Sequence, residues 1–443
     1  SLDWDEASIG WNAYSLLKTG TDEYGKAWPV SIRSFNDYKP PMYVYAAIPS
    51  IAVFGLNEFA VRLPSALAGI LTVIITFFLV RELTKKESMA LVSSLLLAIS
   101  PWSIQFSRGA FEANLALFFF VLGAYFLLKW PFFSIFPFIL SIYGYHSSRL
   151  VIPAFLFLYF IFNFKYVLKN WKIFTLSVVL FLLCLYPLIR NSLHTGAVTA
   201  RLNSVTMVNS PAKYLNNYLS HYNFDFLFLN ADNNGRHHAP GVGLLYLAEF
   251  PFLLAGFYFL IKNKPSWAKF ILIWLAVAPM ASALVNDAPH AIRSLMFLPV
   301  FQIIIAYGLT KMWLPLIFLN FLFWSHQYFV HFPVEYAKDW QYGYKEVVKK
   351  VLAVEKNYET IYVTNFYDQP YIYFLFYGRI DPIVKNSGYF YQGLDKYEFG
   401  RFKDNNDALY VLAPSELTTN YQVLDKVQFP DKTDAFVFAT IKP

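Results

Sequence analysis

The chain contains a single cysteine, Cys184, so neither an intramolecular disulfide nor a cysteine-built metal centre can form. Charge is also scarce. Asp, Glu, Lys and Arg make up 15% of the 443 residues, against about 25% in an average soluble domain. The Lys and Arg behind the formal net charge of +7 are scattered through short segments. With no basic run or stripe, a nucleic-acid partner is excluded. No glycine-rich motif cradles a phosphate, and no internal repeat supports a repeat-built transporter. Neither an initiator Met nor a signal-peptide region opens the chain, so Ser1 reads as a truncated start.

What is abundant is apolar and aromatic. Hydrophobic residues make up 57% and aromatic residues 20%, with a mean hydropathy of +0.39. This composition predicts an integral membrane protein whose 46 Phe and 32 Tyr face lipid and headgroups. Ten apolar runs approach the ~20 residues that cross a bilayer core: 60–80, 87–101, 112–129, 132–145, 150–164, 173–189, 241–261, 267–285, 291–309 and 312–331. Met42 to Leu56 is shorter and holds Pro49 and Gly55, which predicts an interfacial or re-entrant segment.

Loop charge fixes an orientation, because short cytoplasmic loops concentrate Lys and Arg. With 42–56 not spanning, residues 81–88, Lys129, 164–172, 261–269 and Thr310-Lys311 share the basic side. The opposite, extracytoplasmic side receives loop 1–41, 100–114, 143–149, the long loop 190–240, 285–293 and everything after His331. From 333 to 443 the pattern becomes that of a small α/β domain. YKEVVKKVLAVEK reads as an amphipathic helix, and ETIYVTN, YIYFLFY, ALYVLAP and AFVFATIKP read as strands. Its Tyr-rich stretch 367–382 reads as sheet core more readily than as a glycan platform.

The unusual polar clusters all fall on the extracytoplasmic side. Asp5-Glu6, with Lys39-Pro40-Pro41 ahead of the interfacial segment, suits a general base for an acceptor hydroxyl and a charge clamp for a lipid phosphate. The plain alternative is a solvated loop. Arg108 and Glu112 lie four residues apart at the mouth of a span, either a local salt bridge or a functional pair. His146 with Arg149, and His290 with Arg293, repeat a His-x-x-Arg arrangement at helix ends, where Arg fits a bidentate phosphate contact or merely snorkels. The loop NADNNGRHHAPGVG brings Asp232, Arg236, His237 and His238 ahead of a span, as a polar re-entry or substrate-gating loop. Adjacent His side chains diverge, so His237 and His238 together do not make a mononuclear zinc site. Asp22-Glu23 lies among turn formers in TGTDEYG and reads as a solvated or acceptor-facing turn.

The order DEA, KPP before a short apolar run, NEFAVRLPSALAGILTV, and ISPW-x-I-x-FSRGAFEANL resembles the protein O-mannosyltransferase superfamily of GT-C fold. Within it the chain resembles bacterial family 39-like enzymes, with lipid A aminoarabinose transferases as cousins. The resemblance implies a mainly α, polytopic GT-C domain over 1–332 and a first transmembrane helix ahead of the acidic pair. It implies inverting transfer of a sugar, a mannose-like hexose favoured, from a polyprenyl monophosphate to an acceptor protein, lipid or glycan outside the cytoplasm of a cell membrane. By position, the catalytic residues would be Asp5 with Glu6 beside it, and Glu112 in a longer R-x-x-x-E spacing. Lys39, Arg108, Arg149 and Arg293 would surround the donor phosphate, and His146, His290, Arg236 and His237 would contact substrate. No cofactor is required, and a divalent metal is compatible with these residues but not indicated. The competing class is a polytopic lipid or sugar transporter or flippase, which predicts charges at mid-depth; a scaffold would leave Asp5, Lys39, Arg108 and Arg293 without a purpose.

Overall fold

The computed structural model describes residues 2–35, 37–194, 206–309, 314–382 and 393–442. Thr310-Lys311 and residues 195–205 of the long loop lie outside them. All ten apolar runs contain helix. Among the described residues, three helices are each long and apolar enough to cross a bilayer alone: α3 (Glu58–Thr84), α6 (Glu112–Lys129) and the helix Trp171–His194. At 1.5 Å per residue, the 27 residues of α3 reach about 40 Å, beyond the ~30 Å hydrocarbon thickness. A fourth candidate is the broken pair α4 (Glu87–Ile99) and α5 (Pro101–Arg108), bent by 56° where Pro101 removes a helical N–H. The other runs are shorter helices, including α7 (Ile135–Gly144) and α8 (Ser148–Phe162). The run 241–261 keeps helix only from Phe250 to Asn263, because the preceding stretch folds into turns. Leu176, Val179, Leu182, Leu183 and Ile189 stay exposed along Trp171–His194. Such a stripe is stable only against lipid, and the chain is a multi-pass membrane protein.

The opening segment is not a plain loop. Residues Trp4–Thr19 form helix α1, begun by a capping box in which Asp3 accepts from the Glu6 N–H and Glu6 accepts from the Asp3 N–H. Gly20 in the left-handed region (φ 73°) ends it. A hairpin of β1 (Ile32–Ser34) and β2 (Asp37–Lys39) follows, then α2 (Met42–Phe54), 13 residues and too short to span. Asn57 caps α3 by accepting from the Ala60 N–H.

The C-terminal part carries a mixed sheet in the order β4-β5-β3-β6-β8-β7, with β3 (Thr360–Val363), β4 (Gly393–Leu394), β5 (Tyr397–Phe399), β6 (Ala408–Leu412), β7 (Tyr421–Gln428) and β8 (Asp434–Ile441). β3 runs parallel to β5 and β6, whereas β8 is antiparallel to β6 and β7. The amphipathic helix is present at Tyr344–Val354. The expected strand YIYFLFY is instead the helix Pro370–Tyr377. Pro370 starts it, and burial on all sides removes the apolar-polar contrast that marks a helix. Its Tyr371 and Tyr373 are 1% and 0% exposed, so both belong to the core.

Among the described residues two large apolar cores form, beside a smaller one on the sheet around Tyr362 and Tyr410. One lies among the membrane helices around Trp102, Phe120 and Trp274. The other joins α1, α2 and α3 to Tyr344, Ile361 and the helix Pro370–Tyr377. A Cβ on Gly10 would lie 2.5 Å from Phe376 and 2.6 Å from Val61. The absence of that carbon lets α1 lie between α3 and the C-terminal helix. The Leu2 N–H donates to the Tyr377 hydroxyl (3.1 Å), and Glu58 pairs with Lys345 (2.6 Å), closing the same seam.

Candidate active site

The first turn of α1 is held from four directions. Both oxygens of Glu6, 4% exposed, face Arg62 of α3: Nε donates to Oε1 (2.7 Å) and Nη2 to Oε2 (2.5 Å). Oε1 also accepts from the Ala110 N–H (2.8 Å) and Oε2 from the Asp3 N–H (3.2 Å). The Asp3 carboxylate, 3% exposed, pairs with Arg236 at 2.9 Å. Burial raises the Asp3 pKa to about 6 despite Arg236. The bend before α5 delivers Ala110 to Glu6, and lets Gln105 donate to the Arg236 carbonyl (2.6 Å).

Asp5 points the other way. Its side chain is 44% exposed and its Oδ1 lies 2.5 Å from Lys39 Nζ. Lys39 is carried there by β2, whose register pairs it with Ile32, and Pro40-Pro41 stop the strand and lead into α2. Burial disfavours charge on both groups. For Asp5, Lys39 and Arg236 outweigh that cost and hold the carboxyl below its ordinary value. For Lys39, Asp5 and Glu112 outweigh it and raise the ammonium pKa. Both are therefore ionised at neutral pH.

These side chains line a cavity of about 350 Å³, together with Glu112 at the head of α6, His146, Arg236, His237, His290 and Arg293. His146 Nε2 lies 3.1 Å from the Tyr38 carbonyl, which ties the turn before α8 to the Lys39 hairpin. Arg293 makes only long contacts to Asp287, at 3.4 and 3.5 Å. Eight of the candidates thus converge around Asp5 from segments far apart in sequence.

Three candidates stand differently. Glu6 lines the cavity but spends each oxygen on two N–H donors, so it positions α1. Arg108 is exposed and lies over the rings of Tyr328 and Phe329, at 4.9 and 5.6 Å, where it lines a separate pocket. The end of α5 turns it away from the phosphate position expected for it. Arg149, in the first turn of α8, is half-buried and is not part of the cavity wall. Asp22-Glu23 is buried, not solvated. Asp22 Oδ1 accepts from the Tyr24 and Lys26 N–H groups, making the turn. Glu23, 1% exposed beside Tyr371, has its pKa pushed up to about 7 by burial.

The residues missed from sequence are Asp3 and Arg62. Asp3 had a signal, the D-x-x-E spacing of a capping box. Arg62 had none beyond being an Arg in an apolar helix.

A helical membrane body and a cavity lined by the Asp5–Lys39 ion pair suit a GT-C-fold membrane protein, and the comparisons agree on that fold. The sequence model of the dolichyl-phosphate-mannose-protein mannosyltransferase family matches residues 38–190. The fold is similar to that of ArnT from Cupriavidus metallidurans in the apo state, with a TM-score of 0.63 and 12% identity over 99% of this chain and 93% of ArnT. ArnT bound to undecaprenyl phosphate gives a TM-score of 0.53 at 12% identity, covering 98% and 93%. An uncharacterised protein of Aquifex aeolicus is 34% identical over 89 residues, 20% of this chain and 17% of its own length. The chain spans less than a fifth of that relative. The resemblance to the protein O-mannosyltransferase superfamily is borne out over residues 38–190, and the fold is GT-C.

Proposed function

We propose that the protein is a glycosyltransferase that moves a sugar, a mannose-like hexose favoured, from a polyprenyl monophosphate to an acceptor hydroxyl on the extracytoplasmic face of the cell membrane. The observation that carries this reading is the Lys39–Asp5 pair opening into a cavity with Glu112 and Arg293. The similarity of fold to ArnT bound to undecaprenyl phosphate supports a lipid phosphate as donor headgroup. The basic loops at the far ends of the helices support the sidedness.

The chemistry follows from the charges. A polyprenyl phosphate is a good leaving group at an anomeric carbon, so the work lies in an in-line acceptor, a base and cations on the phosphate. Lys39 and Arg293 receive the donor phosphate. As Lys39 turns to it, Asp5 loses the partner that held its pKa low and becomes a stronger base. Asp5 takes the acceptor proton while the anomeric carbon–phosphate oxygen bond breaks, and attack from the opposite face inverts the anomeric centre. Glu112 orients the sugar, and Arg236, His146, His237 and His290 complete the wall. No cofactor enters these steps. The acceptor, whether protein, lipid or glycan, reaches Asp5 from its exposed side.

The test uses full-length protein in detergent with a panel of polyprenyl-phosphate sugars, following release of polyprenyl phosphate. Wild type should release it with one donor, and Asp5→Asn should not, with its unfolding midpoint unchanged. Absence of turnover with every donor and acceptor would move the reading to a transporter.

A further inference from the structure

Asp232, His237 and His290 converge in the wall behind the cavity, and the reaction above gives them no joint task. They come from two different loops, 230–240 and 285–293. One ligand atom from each lies within 4.8 Å of the others, and the three side chains are buried. Asp232 Oδ2 accepts from the Ala291 N–H (2.7 Å) and lies 2.8 Å from His237 Nδ1.

His290 shows that more than a structural hydrogen bond is built here. Its Nε2 lies 3.4 Å from the exposed Asp287 carboxylate, which favours the N–H on that side. The remaining lone pair, on Nδ1, faces Asp232 Oδ2 across 3.7 Å. That Nδ1 is fully buried and has no hydrogen-bond partner. A lone pair turned towards a carboxylate in a dry setting is repulsive unless a cation lies between them. A ring nitrogen free on one side with its other N–H on a carboxylate is the arrangement of a metal-bound histidine.

We infer that Asp232, His237 and His290 bind one divalent transition-metal cation of the zinc class, which clamps loop 230–240 to loop 285–293. Two imidazoles and one carboxylate are a borderline ligand set that suits zinc and leaves a fourth position for water. On binding, the His237 proton moves from Nδ1 to Nε2, and Nδ1 turns from Asp232 to the cation. A second cavity, lined by Asp232, Asp287, His290 and Asp339 and also by Arg236, whose charge is paired with Asp3, gives the ion an entry path separate from Lys39. The cation acts on architecture: the joined loops carry Arg236, which holds Asp3 at the start of α1, and Arg293, which lines the cavity.

The experiment treats full-length protein in detergent with chelator, dialyses it, and titrates it with Zn²⁺ and, separately, with Co²⁺, whose visible spectrum reports imidazole ligation. Wild type should take up one equivalent of either ion, show the ligand-field bands of nitrogen-bound Co²⁺, and unfold at a higher temperature when loaded. His290→Ala should lose at least tenfold in affinity and the loading-dependent shift, while its metal-free form unfolds as the metal-free wild type does. Asp232→Asn should behave alike; if it fails to fold, His237→Gln and the wild-type titration still decide. No uptake by wild type, uptake of several equivalents without ligand-field bands, or undiminished uptake by His290→Ala each overturns the assignment. None of these readouts depends on transferase activity.

Discussion

Glu6 sits beside Asp5 in the acidic pair, and replacing it tests whether it reacts or only positions α1. Each Glu6 oxygen accepts from two N–H donors: Arg62 Nε and Ala110 N at one, Arg62 Nη2 and Asp3 N at the other. In Glu6→Gln, whichever oxygen becomes NH₂ points at two donors, so no rotation of the amide restores the set. Removing one partner of a buried pair costs about 3–5 kcal/mol. Arg62 keeps 31% of its side chain exposed, which places the loss near the lower end, about 3 kcal/mol. Arg62→Met with Glu6→Gln should cost less than the sum of the two singles, because the double variant leaves no unpaired guanidinium. The assay is equilibrium unfolding in mixed micelles across the four proteins of the cycle, beside the rate of polyprenyl phosphate release. Should Glu6→Gln unfold within about 1 kcal/mol of wild type yet lose all turnover, Glu6 would be a reacting group and the positioning argument would fail.

Lys39→Met should lower turnover by about 10²-fold or more, as loss of a charge-stabilising donor does, with little change in unfolding because Asp5 is 44% exposed; Lys39→Arg should recover part of it. Arg108→Ala should leave donor turnover unchanged within about twofold, since it stands in another pocket. Gly10→Ala should destabilise by about 1–3 kcal/mol through overpacking against Phe376 and Val61, and Phe376→Leu in the same chain should return part of it in the same unfolding assay. Glu23→Gln should stabilise the protein in a pH-dependent way. Burial raises the Glu23 pKa from 4.5 to about 7, so its carboxylate destabilises the fold increasingly as pH rises from 4.5 through 7. The variant should match wild type near pH 4 and exceed it by about 3 kcal/mol at pH 8, and an equal gap at both values would contradict the burial argument.

The membrane body was legible because lipid imposes long apolar helices, and all ten apolar runs fold as helix at least in part. Lys39 and Asp5 were legible because a charge beside an apolar segment stands out locally. Helix α1 was missed although the Asp3-x-x-Glu6 cap and Gly20 announce both its ends. Its polar residues made it resemble a loop, and its partners, Phe376 and Val61, lie far away in sequence. The helix Pro370–Tyr377 was misread for the opposite reason, since a segment buried on every side carries no periodic contrast. Arg108 looked like a phosphate ligand because sequence spacing gives the helix end but not the direction in which α5 turns there.

The same reasoning explains why the site draws on six segments. A carboxylate can hold a low pKa in a half-buried setting only if cations are fixed near it, and Lys39 and Arg236 are both named causes of the Asp5 shift. Lys39 is fixed by a hairpin, and Arg236 by its pair with Asp3. Asp3 and Glu6 fix α1 relative to α3 and α5, and the C-terminal helix presses on the opposite face of α1 through Gly10. The C-terminal part is therefore a structural wall of the site: substitutions such as Phe376→Ala, distant from the cavity, should weaken α1 seating and lower turnover together with stability.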